Sequence, residues 1–197
     1  MSSSDTTEAP TPAPRPRRSR RAKVAIVAAA VAAAAAIGVT SALTGGSTGN
    51  NPPRSALIGQ KVSDFSLPGL SGGVEPAPWE SGRPSVLIFF ASWCSPCQRE
   101  MPRLAAYVAT HVRAPVEVLG VDALDAAGAA RRFVATDRVG FAVAYDPNGQ
   151  VTNGDFGFAT LPETVFVSAR GVVTDVHFGA ISNAQMAQGV TTLGSGS

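Results

Sequence analysis

Cysteine and histidine are scarce: the 197 residues hold two of each, Cys94, Cys97, His111 and His177. A closed tetrahedral zinc site needs four ligands, and these histidines stand far apart with neither beside a second cysteine, which argues against zinc. No glycine-rich fingerprint is placed to cradle a dinucleotide, so no cofactor is expected from the chain itself. Beyond residue 55 there is no internal repeat and no low-complexity stretch. Charge is missing altogether from Val24 to Leu43, and no cysteine follows that apolar segment, which excludes a lipoprotein anchor.

What is present divides the chain into unlike regions. Residues 1–23 carry six basic side chains against Asp5 and Glu8, a net +4, with prolines at 10, 12, 14 and 16. The remaining ten basic and twelve acidic residues give −2. The basic character therefore belongs to the tail, and nucleic-acid binding is not expected. Residues 24–43, "VAIVAAAVAAAAAIGVTSAL", have the length needed to cross roughly 30 Å of hydrocarbon as a helix. With a positive flank on the cytoplasmic side they read as a signal anchor, single-pass with the N-terminus inside. Cleavage near Ala42, after the small residues Thr40 to Ala42, is the alternative and would release the rest as a secreted protein. Residues 44–55, rich in Gly, Ser, Asn and Pro, are expected to be a linker. Either outcome puts 56–197 in an extracytoplasmic, oxidising space, where structural and redox-active disulfides both occur.

The globular part alternates strand and helix. "SVLIFF" (85–90) is a continuous apolar run of strand length, as for a strand covered on both faces. A helix follows Cys97, with Leu104, Tyr107, Val108 and His111 at helical spacing. "VEVLGVD" (116–122) predicts a second buried strand and residues 124–139 a second helix, with Arg131, Arg132 and Asp137 on its solvated face. Strand, helix and strand imply a right-handed parallel crossover. "FAVAYD" (141–146) predicts a strand, 147–158 a turn with a single helical turn, 164–179 a hairpin around Ala169-Arg170-Gly171, and the last segment a helix capped by Ser182 or Asn183. The sum is an α/β domain with a mixed central sheet flanked by helices.

Cys94 and Cys97 carry the chemistry. A bridge closing four residues removes little chain entropy, so it serves poorly as a staple. Cys94 falls where a buried strand ends and a helix begins, where free backbone N–H groups and the helix dipole favour a thiolate. Cys97, one turn further on, lies within reach of its partner's sulfur, so that one cysteine attacks a substrate and the other resolves the mixed disulfide. Pro96 fits the first or second helical position, where its missing N–H costs nothing.

"FFASWCSPCQREMP" (89–102) resembles the active-site segment of the thioredoxin-like proteins, in particular the membrane-anchored extracytoplasmic branch that includes the TlpA, ResA and CcmG/DsbE types. The resemblance runs from about Leu57 to Leu193, and "IGQKVSDFSLPGLSGG" (58–73) is similar to the strand and hairpin these proteins add before the core. It implies a thioredoxin-like fold with that N-terminal extension, catalytic Cys94 and Cys97, and a helix kinked at Pro102. Trp93 would belong to the apolar collar around the sulfurs, while Trp79 is expected to pack within the extension. "TLPETVFV" matches the loop in which the family has a cis-proline beside the cysteines. Pro162 takes that place, and Leu161 would pair its backbone with an extended substrate. Glu163 is similar to the acid after that proline in cytochrome c maturation reductases, or else is an exposed loop acid.

The pattern departs from the family where a buried carboxylate, or asparagine, precedes the first cysteine by six residues, because Ile88 stands there. Glu75, Glu80, Asp122 and Glu100 are the acids available through space, and each reads first as a surface charge. The resemblance implies an extracytoplasmic thiol-disulfide oxidoreductase with protein substrates carrying disulfides or thiols. Its electrons would pass through a membrane or extracytoplasmic electron-transfer partner, as in a reductase of cytochrome c maturation. A disulfide-forming oxidase is one alternative. A peroxiredoxin-like thiol peroxidase is another, though Ala91 replaces the threonine expected three residues before its cysteine. A haem or copper chaperone is the third, with Cys94, Cys97 and His177 as copper ligands.

Overall fold

The computed structural model describes residues 56–157 and 160–195. The basic tail, the apolar segment 24–43 and the linker 44–55 lie outside the described residues. Among the described residues, no helix is long and apolar enough to cross a membrane.

A five-stranded sheet in the order β5-β4-β3-β6-β7 forms the centre. Its middle strand, β3 (Ser85–Phe90), is buried at all six positions, as a continuous apolar run requires. Helix α1 (Ser95–His111) crosses to β4 (Glu117–Ala123), which lies parallel to β3 with Phe90 beside Asp122. Helix α2 (Ala127–Thr136) crosses to β5 (Ala142–Asp146), also parallel. After the short α3 (Gln150–Gly154), β6 (Glu163–Val167) runs antiparallel to β3 and forms a hairpin with β7 (Val173–Phe178). Helix α4 (Asn183–Ser195) follows. Ser182 caps it, its hydroxyl accepting from the Gln185 N–H at 3.3 Å.

Both faces of β3 are covered. Phe90 meets Phe133 of α2 with ring centroids 5.6 Å apart, and Phe89 on the other face meets Phe156 at 5.0 Å. The helix expected over 124–139 is shorter at both ends: residues 124–126 form the turn after β4, and Asp137 is the C-terminal cap. Arg131 and Arg132 are exposed, whereas Asp137 is half-buried.

The N-terminal extension reaches both edges of the sheet. Gly59 and Val62 donate to the carbonyls of Val173 and Gly171 at 2.8 and 2.9 Å, along the β7 edge. Further on, the hairpin of β1 (Ser66–Pro68) and β2 (Val74–Pro76) turns at Gly69, and Leu70 donates to the Val143 carbonyl at 2.8 Å, on the β5 edge. Edge strands with free backbone groups are thereby blunted. Trp79 is buried, edge-on to Phe65, with its indole donating to Asp64 at 2.8 Å, as expected of a packing residue. Gly171, at φ +75°, lets the β6–β7 turn approach the Trp79 ring, where a β-carbon would lie 3.0 Å away.

Candidate active site

Where β3 ends, Ala91 to Trp93 lead straight into α1, and Cys94 occupies the N-cap. Its sulfur accepts the Cys97 N–H at 3.2 Å, and its carbonyl accepts the Gln98 N–H at 3.0 Å. One of the free donors that any helix N-terminus presents is thus aimed at Cys94. Cys94 and Cys97 form a disulfide, their α-carbons 5.2 Å apart. Cys94 is 4 % exposed and Cys97 1 %, so an incoming thiol or disulfide reaches Cys94 first. Pro96 is exposed in the first turn, where it leaves no hydrogen bond unmade.

Trp93 is 55 % exposed rather than enclosed, and its indole donates to the Leu124 carbonyl at 3.0 Å. With Leu124, 40 % exposed, it leaves apolar surface beside the disulfide. Pro162 follows a cis bond from Leu161. The pairing of Phe89 with Glu163 puts Pro162 opposite Phe90, at the end of the sheet from which Cys94 departs. Leu161 is buried, and the Pro162 carbonyl accepts from Gly179 at 2.9 Å.

Three acids are buried: Glu100 and Asp122, each expected as a surface charge, and Glu163, for which an exposed loop acid is one of the two readings the sequence offers. Glu163 is 2 % exposed, the first residue of β6 and not an exposed loop acid. Glu100 is 5 % exposed, its carboxylate accepting the Ile181 N–H at 2.6 Å. Burial raises its pKa, against the Ile181 N–H, Arg103 and His177, which lower it. Asp122 is 0 % exposed. Burial first, then the charge of Asp125 and a side-chain hydrogen bond to it, push its pKa up to about 8. Glu80 is exposed and Glu75 half-buried, both in the extension. Ile88 lies beside Gly120 of β4, and Asp122 stands one same-face position further along that neighbouring strand. The signal for it was a lone aspartate closing the apolar run 116–122.

His177, on β7, contacts the Ala180 carbonyl at 3.2 Å. His111 is exposed and stacked on Tyr107. Among the described residues, no three His, Cys, Asp or Glu side chains gather as they would around a metal ion.

A thioredoxin-like fold with a disulfide at a helix N-cap agrees with what the chain is similar to. Residues 58–176 match the model of the AhpC/TSA family, and the chain belongs to that family. The thioredoxin-like protein YneN of Bacillus subtilis is 31 % identical over 132 residues, 66 % of this chain and 76 % of that protein. The thiol:disulfide interchange protein DsbE homolog of Paracoccus denitrificans is 35 % identical over 130 residues, 64 % of this chain and 69 % of that one. Among solved structures, MTB dsbF in its mixed oxidized and reduced forms superposes with a TM-score of 0.59 at 35 % identity, covering 66 % of this chain and 94 % of that one. The chain is a thiol-disulfide oxidoreductase of the ResA/DsbE type.

Proposed function

We propose that this oxidoreductase is membrane-anchored through residues 24–43, faces outward, and passes electrons from Cys94 and Cys97 to the disulfides of secreted proteins, as a reductase in cytochrome c maturation. The observation that carries the exchange is the Cys94–Cys97 disulfide at the N-terminus of α1, with the more exposed cysteine at the cap. In the reduced protein the Cys94 thiolate attacks a substrate disulfide, forming a mixed disulfide and releasing one substrate thiolate, which takes a proton from water. Cys97 then attacks the Cys94 sulfur, which re-forms the internal disulfide and frees the second substrate thiol. Two electrons move from protein to substrate, and an extracytoplasmic electron-transfer partner restores the dithiol. Leu161 offers its backbone to an extended substrate segment, Pro162 holds that loop against the end of β3, and exposed Trp93 meets apolar substrate side chains. The reducing direction rests on Pro96 beside Cys97 and on the Pro162-Glu163 pair, features shared with reducing members of the resembling branch.

A Cys97→Ser variant of the full chain, expressed in its native cells, should accumulate mixed disulfides through Cys94, and the trapped proteins name the substrates. No trapped protein, together with no exchange by the unmodified chain, would overturn the reading. Equilibration with glutathione tests direction, since a strongly oxidising potential would assign an oxidase instead. Peroxide consumption that survives loss of Cys97 would point to the peroxidase alternative.

A further inference from the structure

The turn after β4 carries a carboxyl group, Asp125, that grips the active-site loop, with a second, Asp122, buried beside it at the end of the strand. Asp125 uses both oxygens as acceptors: Oδ2 takes the Ser92 N–H at 2.5 Å and Oδ1 takes the Ala126 N–H at 2.6 Å. One residue away, the Trp93 indole donates to the Leu124 carbonyl. The turn thus holds the two residues immediately before Cys94. Leu124 adopts φ +54°, a left-handed conformation that costs a leucine free energy and persists only where its surroundings impose it. Asp122, fully buried, finds no donor for either oxygen among the described residues. Its polar neighbour is the Asp125 carboxyl.

We propose that the Asp122–Asp125 carboxyl pair is the positioning device of the disulfide loop, Asp125 holding the Ser92 backbone N–H and Asp122 setting how firmly it does so. Because both oxygens of Asp125 accept from backbone donors, the shared proton resides on Asp122, which donates to Asp125. Ionised, Asp122 would put a second negative charge against the first in a water-poor site. That repulsion slackens the hold on Ser92 and adds unfavourable potential to an approaching thiolate. Among the described residues, the other titratable or charged groups around the pair offer Asp122 no compensating cation. Its strand neighbours are Phe90 on β3 and Tyr145 on β5, whose hydroxyl donates to the Asp125 carbonyl at 3.0 Å. Asp146 of β5 is bonded to Gln150 and Thr152. On α1 the cysteines are bridged, Glu100 and Arg103 engage Ile181, and Arg99 is exposed. On α2, Arg131 donates to the Leu70 carbonyl and Arg132 is exposed.

This inference rests on the disulfide being exchanged, and its test separates the two claims. For the full chain, the rate constant for reduction of Cys94–Cys97 by glutathione, divided by the glutathione thiolate concentration, is measured from about pH 6 to about pH 10. We expect it to fall at least about threefold as pH rises through the region where Asp122 ionises, and expect no such fall in Asp122→Asn. Asp125→Asn, with one acceptor oxygen lost, should be slower across the whole range. Independently of any variant, infrared spectra of the unmodified chain should show a protonated carboxyl at neutral pH that titrates in the same region. A flat profile in a protein that exchanges, a fall that persists in Asp122→Asn, or no protonated carboxyl would each overturn the pair's role while leaving the oxidoreductase reading standing. Absence of exchange at every pH would overturn both.

Discussion

Glu100 is the acid of α1 that turns inward, and it ties the active-site helix to the segment before α4. Its oxygen accepts the Ile181 N–H, and Arg103, 3.6 Å from the same oxygen, bonds onward to the Ile181 carbonyl and Asn183. The carboxylate is enclosed while Arg103 is partly exposed, so the hydrogen bond to buried backbone matters more than the ion pair. Glu100→Ala leaves the Ile181 donor unmet and should cost about 1–3 kcal/mol. Glu100→Gln keeps an acceptor and should cost roughly 1 kcal/mol or less. Urea unfolding of the two variants checks the order, and equal losses would show that the charge, not the acceptor, is what counts. Nothing local in "CQREMP" marks Glu100 as inward-facing. That depends on where the segment after β7 lands.

At the scale of elements, α4 packs so closely on the sheet that its glycine is part of the fit. A β-carbon at Gly189 would lie 2.3 Å from the Phe166 ring, which is itself buried in β6. Gly189→Ala should therefore destabilise by about 1–3 kcal/mol or more through overpacking, read as a lowered denaturation midpoint, while Gly194→Ala, with open space around it, should be close to neutral. β3 is legible in the sequence because five consecutive apolar side chains, Val86 to Phe90, follow Ser85 and end at Ala91, a run of strand length. The second helix was overextended, since Leu124 to Ala126 have ordinary helix-compatible side chains. They leave the helix because the Leu124 carbonyl holds the Trp93 indole and the Asp125 side chain holds the Ser92 N–H.

At the scale of the whole fold, the displaced carboxyl groups among the described residues all shift one way. Asp122, Glu100, Asp137 and Asp155 have raised pKa values, with burial as the leading cause in each. Such groups keep their protons in the folded protein after the unfolded chain has begun to release them, so stability falls as pH rises. For Asp122 that window runs from its ordinary 3.8 to about 8. Thermal midpoints of the full chain should decline across it, and Asp122→Asn should flatten the decline. A midpoint that rises steadily over the same range would contradict the assignment of a buried, protonated Asp122.

The sequence by itself determined the β3–α1 unit, the cysteine pair at the start of that helix and the mixed sheet, because strand period, helix-start chemistry and cysteine spacing are local properties. The resemblance in "TLPETVFV" located the loop of Pro162. Only the tertiary structure decided which acids matter. Asp122 and Glu100 look like ordinary charges in their own segments, and they become buried, with raised pKa values, because β3, β5 and the segment before α4 close over them. The same holds for the extension, whose two short pieces meet opposite edges of the sheet. Burial and edge pairing are made by residues distant in the chain, and no window of sequence contains both partners.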